Sequence, residues 1–250
     1  MISKAKIKLI NSLSLKKFRD ETSLFVAEST KLVIDLNTTF ECSILVATSE
    51  WLKQNNQITA DEIIEVEPDD FTKFSNHKSP QGVLAVFKKP HFSWNEQELN
   101  HKLSLALDDV QDPGNLGTII RIADWFGISD IFCSEHSADT FNPKTVQASM
   151  GALARVKVHT VDLELFIKSH CSKIPVYGTF MNGENIYSKK LTSTGIVIMG
   201  NEGNGISANI EKLITERLLI PSFPAGVPTS ESLNVAVATA LVCAEFRRNC

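Results

Sequence analysis

The sequence predicts an α/β protein whose larger, later part carries a mostly parallel sheet, preceded by a smaller alternating α/β unit. Short apolar runs of strand length alternate with stretches of helical period along nearly the whole chain. The later runs, such as LSLAL at 103–107 and GIVIM at 195–199, are apolar at successive positions, the pattern of strands buried on both faces. The runs at 176–180, 196–199 and 218–220 each end in a Gly-, Asn- or Pro-rich loop. In open α/β sheets ligands sit at the carboxyl ends of strands, so these loops are candidate site walls.

In order, residues 7–36 read as a short helix, a basic turn, a strand at 24–27 and a helix opened by Ser29. Strand 43–47, helix 49–55, strand 63–66, helix 68–74 and strand 82–87 follow. Residues 88–102, KKPHFSWNEQELNHK, mix Pro and polar residues with no clean apolar period, the composition of a linker. The chain is therefore divided into a domain at 1–90, a linker at 91–102 and a domain at 103–250.

The second domain opens with a strand at 103–110, a turn at Asp112-Pro113-Gly114-Asn115 and a helix at 117–126. Strand 130–133, helix 143–153, strand 156–160 and helix 163–170 continue the alternation, followed by the three strands above, a helix from Ser207 and a last helix at 230–248. On the helix after the turn, Leu116, Ile119, Ile120, Ala123 and Gly127 share one face while Arg121 and Trp125 share the other. Arg121 thus points away from its own core; taken alone, it reads as a surface cation paired with Asp124, and its neighbours are what favour a functional reading.

At 250 residues, with 43% hydrophobic and 22% charged residues, the whole chain should fold. The basic N-terminus lacks the continuous apolar core of a secretory signal, and the apolar stretch at 233–244 is interrupted by Asn234 and Thr239 and too short to cross a bilayer. A cytoplasmic protein without membrane partners is expected. Five scattered cysteines and six unclustered histidines point to reduced thiols and no metal. A net charge of −4 argues against gross attraction to nucleic acid, yet Lys4, Lys6, Lys8, Lys16, Lys17 and Arg19 face only Asp20 within the first twenty residues. That cluster is either a solvated helix face or a phosphate-contacting edge, and composition does not decide.

The loop Gly200-Asn201-Glu202-Gly203-Asn204-Gly205 lets backbone amides approach a ligand, but it matches neither the dinucleotide fingerprint nor a phosphate loop. Farther on, Asn234 stands in the first turn of a helix rich in small residues, as a cap, a core hydrogen bonder or a holder of a loop or ligand. DPGNLGTIIRIADWFG, IMGNEGNGIS and IP followed by SESLNVAVATAL resemble, in order and spacing, the three motifs of the SpoU (TrmH-like) RNA methyltransferases. INSLSLKKFRDETSLFVAESTKLV and SPQGVLAVF are similar to the L30e-like substrate-binding domain that precedes the catalytic domain in many members.

The resemblance implies a SPOUT catalytic domain with a C-terminal trefoil knot, S-adenosylmethionine as cofactor, and methylation of a ribose 2′-hydroxyl of RNA by a homodimer. Ribosomal RNA is favoured as substrate and transfer RNA is the alternative; a non-catalytic RNA-binding member and a nucleotide-dependent oxidoreductase are the competing classes. Carried over to this chain, the cofactor-binding positions are Thr179, Gly200, Asn201, Gly203, Ile220 and Leu233. The loop after Pro221 looks longer than usual, adding Pro224, Gly226 and Pro228. The catalytic positions are Arg121, Asn115, Glu202, Ser232 and Asn234. Because arginine stays protonated, Arg121 is expected to clamp the phosphate beside the target ribose and stabilise developing alkoxide charge. Asn115 and Asn234 would orient Arg121 or the ribose, Ser232 would hydrogen-bond the hydroxyl, and Glu202 would orient a partner or accept the proton. Lys16, Lys17 and Arg19 would contact RNA phosphates.

Overall fold

The structure is a computed structural model that describes residues 2–75, 77–224, 227, 230 and 232–248. Gly226 and Pro228 of the long loop lie outside the described residues. In chain order the elements are α1 (Lys4–Ser12), α2 (Lys16–Thr22), β1 (Leu24–Glu28), α3 (Thr30–Asn37), β2 (Cys42–Ala47), α4 (Ser49–Gln54), β3 (Glu62–Glu65) and β4 (Val83–Lys88). They continue with α5 (Glu96–Leu99), β5 (Leu103–Leu107), α6 (Pro113–Trp125), β6 (Asp130–Cys133), α7 (Pro143–Ser149), β7 (Lys157–Thr160) and α8 (Leu163–His170). The last are β8 (Val176–Asn185), β9 (Gly195–Met199), α9 (Ala208–Glu211), β10 (Glu216–Leu219) and α10 (Val235–Arg247).

The chain forms two compact units, one comprising the residues up to His91 together with Asp139–Arg155, the other Phe92–Ala138 and the residues from Val156 on. The first is built on a four-stranded sheet ordered β1-β4-β2-β3, antiparallel except for β2 with β3. Two features fasten Asp139–Arg155 to it. Phe141 packs on Phe25 with ring centroids 4.7 Å apart, and the Arg19 guanidinium reaches Asp139 Oδ2 at 2.6 Å. Gly151 sits at φ +90, where a Cβ would lie 2.3 Å from Asp35 Oδ2, so this close approach requires glycine.

In the second unit six strands run in the order β10-β8-β9-β5-β6-β7, every neighbouring pair parallel. All five residues of β5 and of β9 at its centre are buried, as their unbroken apolar runs predict. The order places β9 beside β5 and β8, so the loops that follow β5 and β9 come together with the stretch of β8 past Gly178, which the sequence reads as a loop but which continues as an irregular part of the strand to Asn185.

Several boundaries differ from the sequence reading for identifiable reasons. Helix α6 starts at Pro113, because Asp112 caps it by accepting from Asn115 N and proline suits the first helical position; the expected turn is the first turn of the helix. The basic turn is helix α2, and residues 68–73 form a 3-10 helix. Helix α7 stops at Ser149, with Met150 at φ 51 leaving helical geometry. The final helix begins at Val235, not at 230, since Asn234 Oδ1 accepts from Ala236 N and Val237 N. The faces of α6 follow the pattern read from sequence: Leu116, Ile119, Ile120 and Ala123 are buried, Arg121 and Trp125 exposed. Gly127 lies past the helix end at φ 65.

Candidate active site

The Gly200–Gly205 loop closes on itself. Asn201 N donates to Gly205 O at 2.9 Å, Gly205 N returns a bond to Asn201 O at 2.9 Å, and Asn201 Oδ1 accepts from Gly203 N and Asn204 N. This folds the backbone so tightly that a Cβ on Gly200 would lie 2.3 Å from the Gly205 carbonyl carbon. Two further bonds tie the loop to the end of β5: Asn201 Nδ2 donates to Asp109 O at 2.7 Å, and Ser207 N donates to Asp108 Oδ2 at 2.6 Å.

Beside the loop a cavity of about 370 Å³ opens along the middle of β8, at the ends of β9 and β10 and at the start of α10. Five of the six expected cofactor positions line it, Thr179, Gly200, Asn201, Ile220 and Leu233, as do Glu202 and Ser232; Gly203 does not, being the tip residue whose amide turns inward to Asn201. Sequence reasoning missed Phe180, Met181, Met199 and Glu211, which also line it. The signal available for Phe180 and Met181 was their place at the end of the apolar run at 176–180. For Glu211 there was none, because it reaches the cavity through the packing of α9. The Arg217 guanidinium lies 3.6 Å from the Phe180 ring centroid and pairs with Glu211 at 2.6 Å.

The three motifs meet through side-chain amides. Asn115, in the first turn of α6, donates from Nδ2 to Glu202 Oε1 at 2.8 Å, and its Oδ1 accepts from Asn234 Nδ2 at 3.0 Å. Because Asn234 Oδ1 is spent on capping α10, its amide is held in the orientation that donates to Asn115. Burial pushes the Glu202 carboxyl up, but the Asn115 amide and the backbone amides of Gln111 and Asp112 outweigh it and hold the group below the usual range. Glu202 is therefore an ionised acceptor at neutral pH. Arg121 is exposed, and no hydrogen bond or ion pair among the described residues uses it.

The trio expected to contact RNA divides. Lys16 and Lys17 are exposed, whereas Arg19 is 1% exposed and fully engaged, with Nε and Nη2 on Asp139 and Nη1 donating to Leu13 O at 2.7 Å. A guanidinium so enclosed holds the first unit together and does not face a phosphate. Among the described residues no group of His, Cys, Asp and Glu is arranged to hold a metal, and no helix is long and apolar enough to cross a membrane. Burial pushes the Cys133 and Cys243 thiols up to about 12, so they are unreactive at neutral pH.

A parallel sheet with a ligand-sized cavity at its strand ends, walled by a folded glycine loop and flanked by an oriented amide–carboxylate chain, defines an α/β enzyme acting at that end of the sheet. The model of the SpoU rRNA Methylase family matches residues 102–244, and that of the MRM3-like substrate binding domain matches residues 4–85. The chain belongs to the SpoU rRNA methylase family, and its fold is the SPOUT methyltransferase fold behind a small substrate-binding domain. It is 29% identical over 245 residues to the 23S rRNA (guanosine(2553)-2′-O)-methyltransferase RlmP of Bacillus subtilis, covering 97% of this chain and 96% of that one. Among solved structures it is similar to a putative TrmH-family RNA methyltransferase from Porphyromonas gingivalis, with 40% identity, a TM-score of 0.90 and all of both chains covered. It also resembles the AdoMet-bound rRNA methyltransferase from Sinorhizobium meliloti, with 28% identity, a TM-score of 0.85 and coverage of 99% and 96%.

Proposed function

We propose that this protein transfers a methyl group from S-adenosylmethionine to a ribose 2′-hydroxyl of ribosomal RNA. The observation that carries the proposal is the hydrogen-bond chain Asn234–Asn115–Glu202, which joins all three motifs beside the cavity and leaves Arg121 uncommitted. The ribosomal substrate is supported by the RlmP likeness, which extends over both domains.

The cavity fits the cofactor. Its volume of about 370 Å³ is that of a small-ligand site, its walls mix apolar side chains with loop backbone, and at Gly200 the backbone admits no side chain. Thr179, Gly200, Asn201, Ile220 and Leu233 would hold the cofactor, which supplies a methyl group activated on a sulfonium. Arg121, always charged and forked, clamps the phosphate next to the target ribose and stabilises negative charge developing on the hydroxyl oxygen. Ser232 hydrogen-bonds that hydroxyl, whose proton passes to solvent as the bond to the methyl carbon forms. Glu202, too weak a base to take the proton efficiently, fixes the Asn115 amide, and Asn115 with Asn234 sets the entry of α6 and α10 into the site. Lys16 and Lys17 hold RNA backbone phosphates.

The enzyme acts as a cytoplasmic homodimer with a C-terminal trefoil knot. Support for the dimer comes from the apolar surface of the packed pair α6 and α10, where Trp125 is 84% exposed, Val237 51% and Leu241 38%. The test is transfer from labelled S-adenosylmethionine to undermethylated ribosomal RNA and ribosomal particles, with alkali-resistant linkages mapped to mark 2′-O-methylation. Label in such linkages, lost in Arg121→Ala, is the expected result. Label on a base overturns the ribose assignment, and cofactor binding without transfer to any RNA pool overturns the activity.

A further inference from the structure

Asp109, two residues past the end of β5, sits at φ 57, in the left-handed region that is costly for residues with a side chain and that aspartate enters when that side chain is bonded locally. Its carbonyl accepts from Asn201 Nδ2 at 2.7 Å. The Oδ1 of the same Asn201 side chain holds the curl of the Gly200–Gly205 loop, so one amide joins that curl to the backbone at Asp109. Gly200 and Asn201 are walls of the cofactor cavity, and whatever fixes Asp109 therefore steadies that wall.

Ser134 does the fixing. It is buried and directly follows β6, the strand paired with β5, and its own N–H donates to Leu107 O at 3.0 Å. Its Oγ accepts from Asp109 N at 2.9 Å and donates to Asp109 Oδ1, so a single hydroxyl holds one residue by backbone and side chain together. A hydroxyl carries one proton and two lone pairs, which leaves Ser134 a second acceptor site, and Ser137 Oγ stands 3.0 Å from it. Asp109, Ser134 and Ser137 do not line the cavity themselves.

We propose that Ser134 is a positioning residue for cofactor binding: by clasping Asp109 in its left-handed conformation it aims the Asp109 carbonyl at Asn201 and keeps the Gly200–Gly205 loop in the curl that admits S-adenosylmethionine. The inference rests on the reading of this cavity as the cofactor site and adds a residue that touches neither cofactor nor RNA. Glycine enters the left-handed region about as readily as the ordinary one, so a glycine at 109 holds the turn without the clasp. That property separates an effect transmitted through the Asp109 backbone from a general loosening of the fold.

The test measures S-adenosylmethionine binding to the full-length protein by titration calorimetry, without RNA, with thermal unfolding recorded for each variant. Ser134→Ala should weaken binding about tenfold, the scale of losing one or two hydrogen bonds. Ser134→Ala/Asp109→Gly should return to within about threefold of wild type. With Ser134 intact, Asp109→Ala should bind about tenfold weaker than Asp109→Gly, the penalty a Cβ meets in the left-handed region, and this pair reads the conformation even if Ser134→Ala fails to fold. A lower unfolding temperature with wild-type affinity in Ser134→Ala makes the hydroxyl merely structural and overturns the proposal. A loss that Asp109→Gly does not reverse, or equal affinity of the alanine and glycine variants at 109, overturns it too. Methyl transfer to ribosomal RNA at saturating cofactor is followed in parallel and should stay within about twofold of wild type in Ser134→Ala, as for a residue that serves binding alone. The expected binding pattern without transfer by the wild type supports the inference and removes the methyltransferase reading, whereas transfer with unaltered Ser134→Ala binding removes the inference alone.

Discussion

Arg19 and Arg121 carry the same guanidinium in opposite settings. Arg19 is buried, with bonds to Asp139 and to the Leu13 carbonyl, while Arg121 stands exposed on α6, one turn from the exposed Trp125 and without a partner among the described residues. The first has each of its three nitrogens bonded inside the fold; the second keeps all five donors for something outside it. Chemistry on RNA calls for the second kind, since a buried group already paired with a carboxylate cannot reach a phosphate.

The comparison predicts opposite failures. Arg19→Met leaves Asp139 without its cation and should destabilise the protein by about 3–5 kcal/mol, the usual cost of breaking a buried pair, read as a lower urea midpoint at unchanged m-value. A shift under about 1 kcal/mol would mean that Arg19 is not the anchor its burial indicates. Arg121→Ala should do the reverse. Methyl transfer falls by about 10²–10³, the scale for removing one preorganised charge-stabilising donor, while stability stays within about 0.5 kcal/mol. A variant that unfolds, or one that keeps its rate, erases the contrast.

The sequence displays this contrast only in part. The period of α6 puts Arg121 on the face away from the core without reference to any other element, and the structure agrees. For Arg19, local pattern offers just a lysine-rich stretch, because the carboxylate that claims it lies 120 residues away. The cavity follows the same rule. The motif loops were legible because their glycines and strand-end positions are local, whereas Glu211 enters through the packing of α9. The start of α6 was readable and misread: Asp112 followed by Pro113 is a cap-and-first-residue pair, and taking it as a loop hid that Asn115 stands in the first helical turn.

Asn234 falls between the two arginines, being committed at one end and shared at the other. Asn234→Ala removes both the cap of α10 and the bond to Asn115, and should cost about 1 kcal/mol of stability along with activity. Asn234→Ser restores the capping oxygen but not the amide that reaches Asn115. Recovered stability with activity still low would locate its contribution in the link; recovery of both would reduce it to a cap.

Glu202 gives a smaller, pH-dependent effect. Its folded pKa lies below the ordinary 4.5, so the stability its hydrogen bonds provide is fully present above that value and is lost as pH falls through the lower, folded one. Transfer by the wild type should therefore show no titration of this group between pH about 5 and 8. An activity step in that window that disappears in Glu202→Gln would show that it does move a proton.

The smallest effect concerns the lysines that share the N-terminal stretch with Arg19. Lys16 and Lys17 are exposed, and Lys17 is only loosely paired with Glu21 at 3.8 Å, so Lys16→Ala/Lys17→Ala should leave the unfolding midpoint unchanged. If both touch phosphate, RNA binding weakens and the plot of log affinity against log salt flattens by about 1.4–1.8, from roughly 0.7 per charge on single strands to 0.9 on duplex. A flattening of about half that would assign the contact to Lys16 alone, the lysine without that carboxylate neighbour. An unchanged slope would make the pair a solvated helix face, and the basic character of this stretch would then reduce to its one buried arginine, whose work is structural.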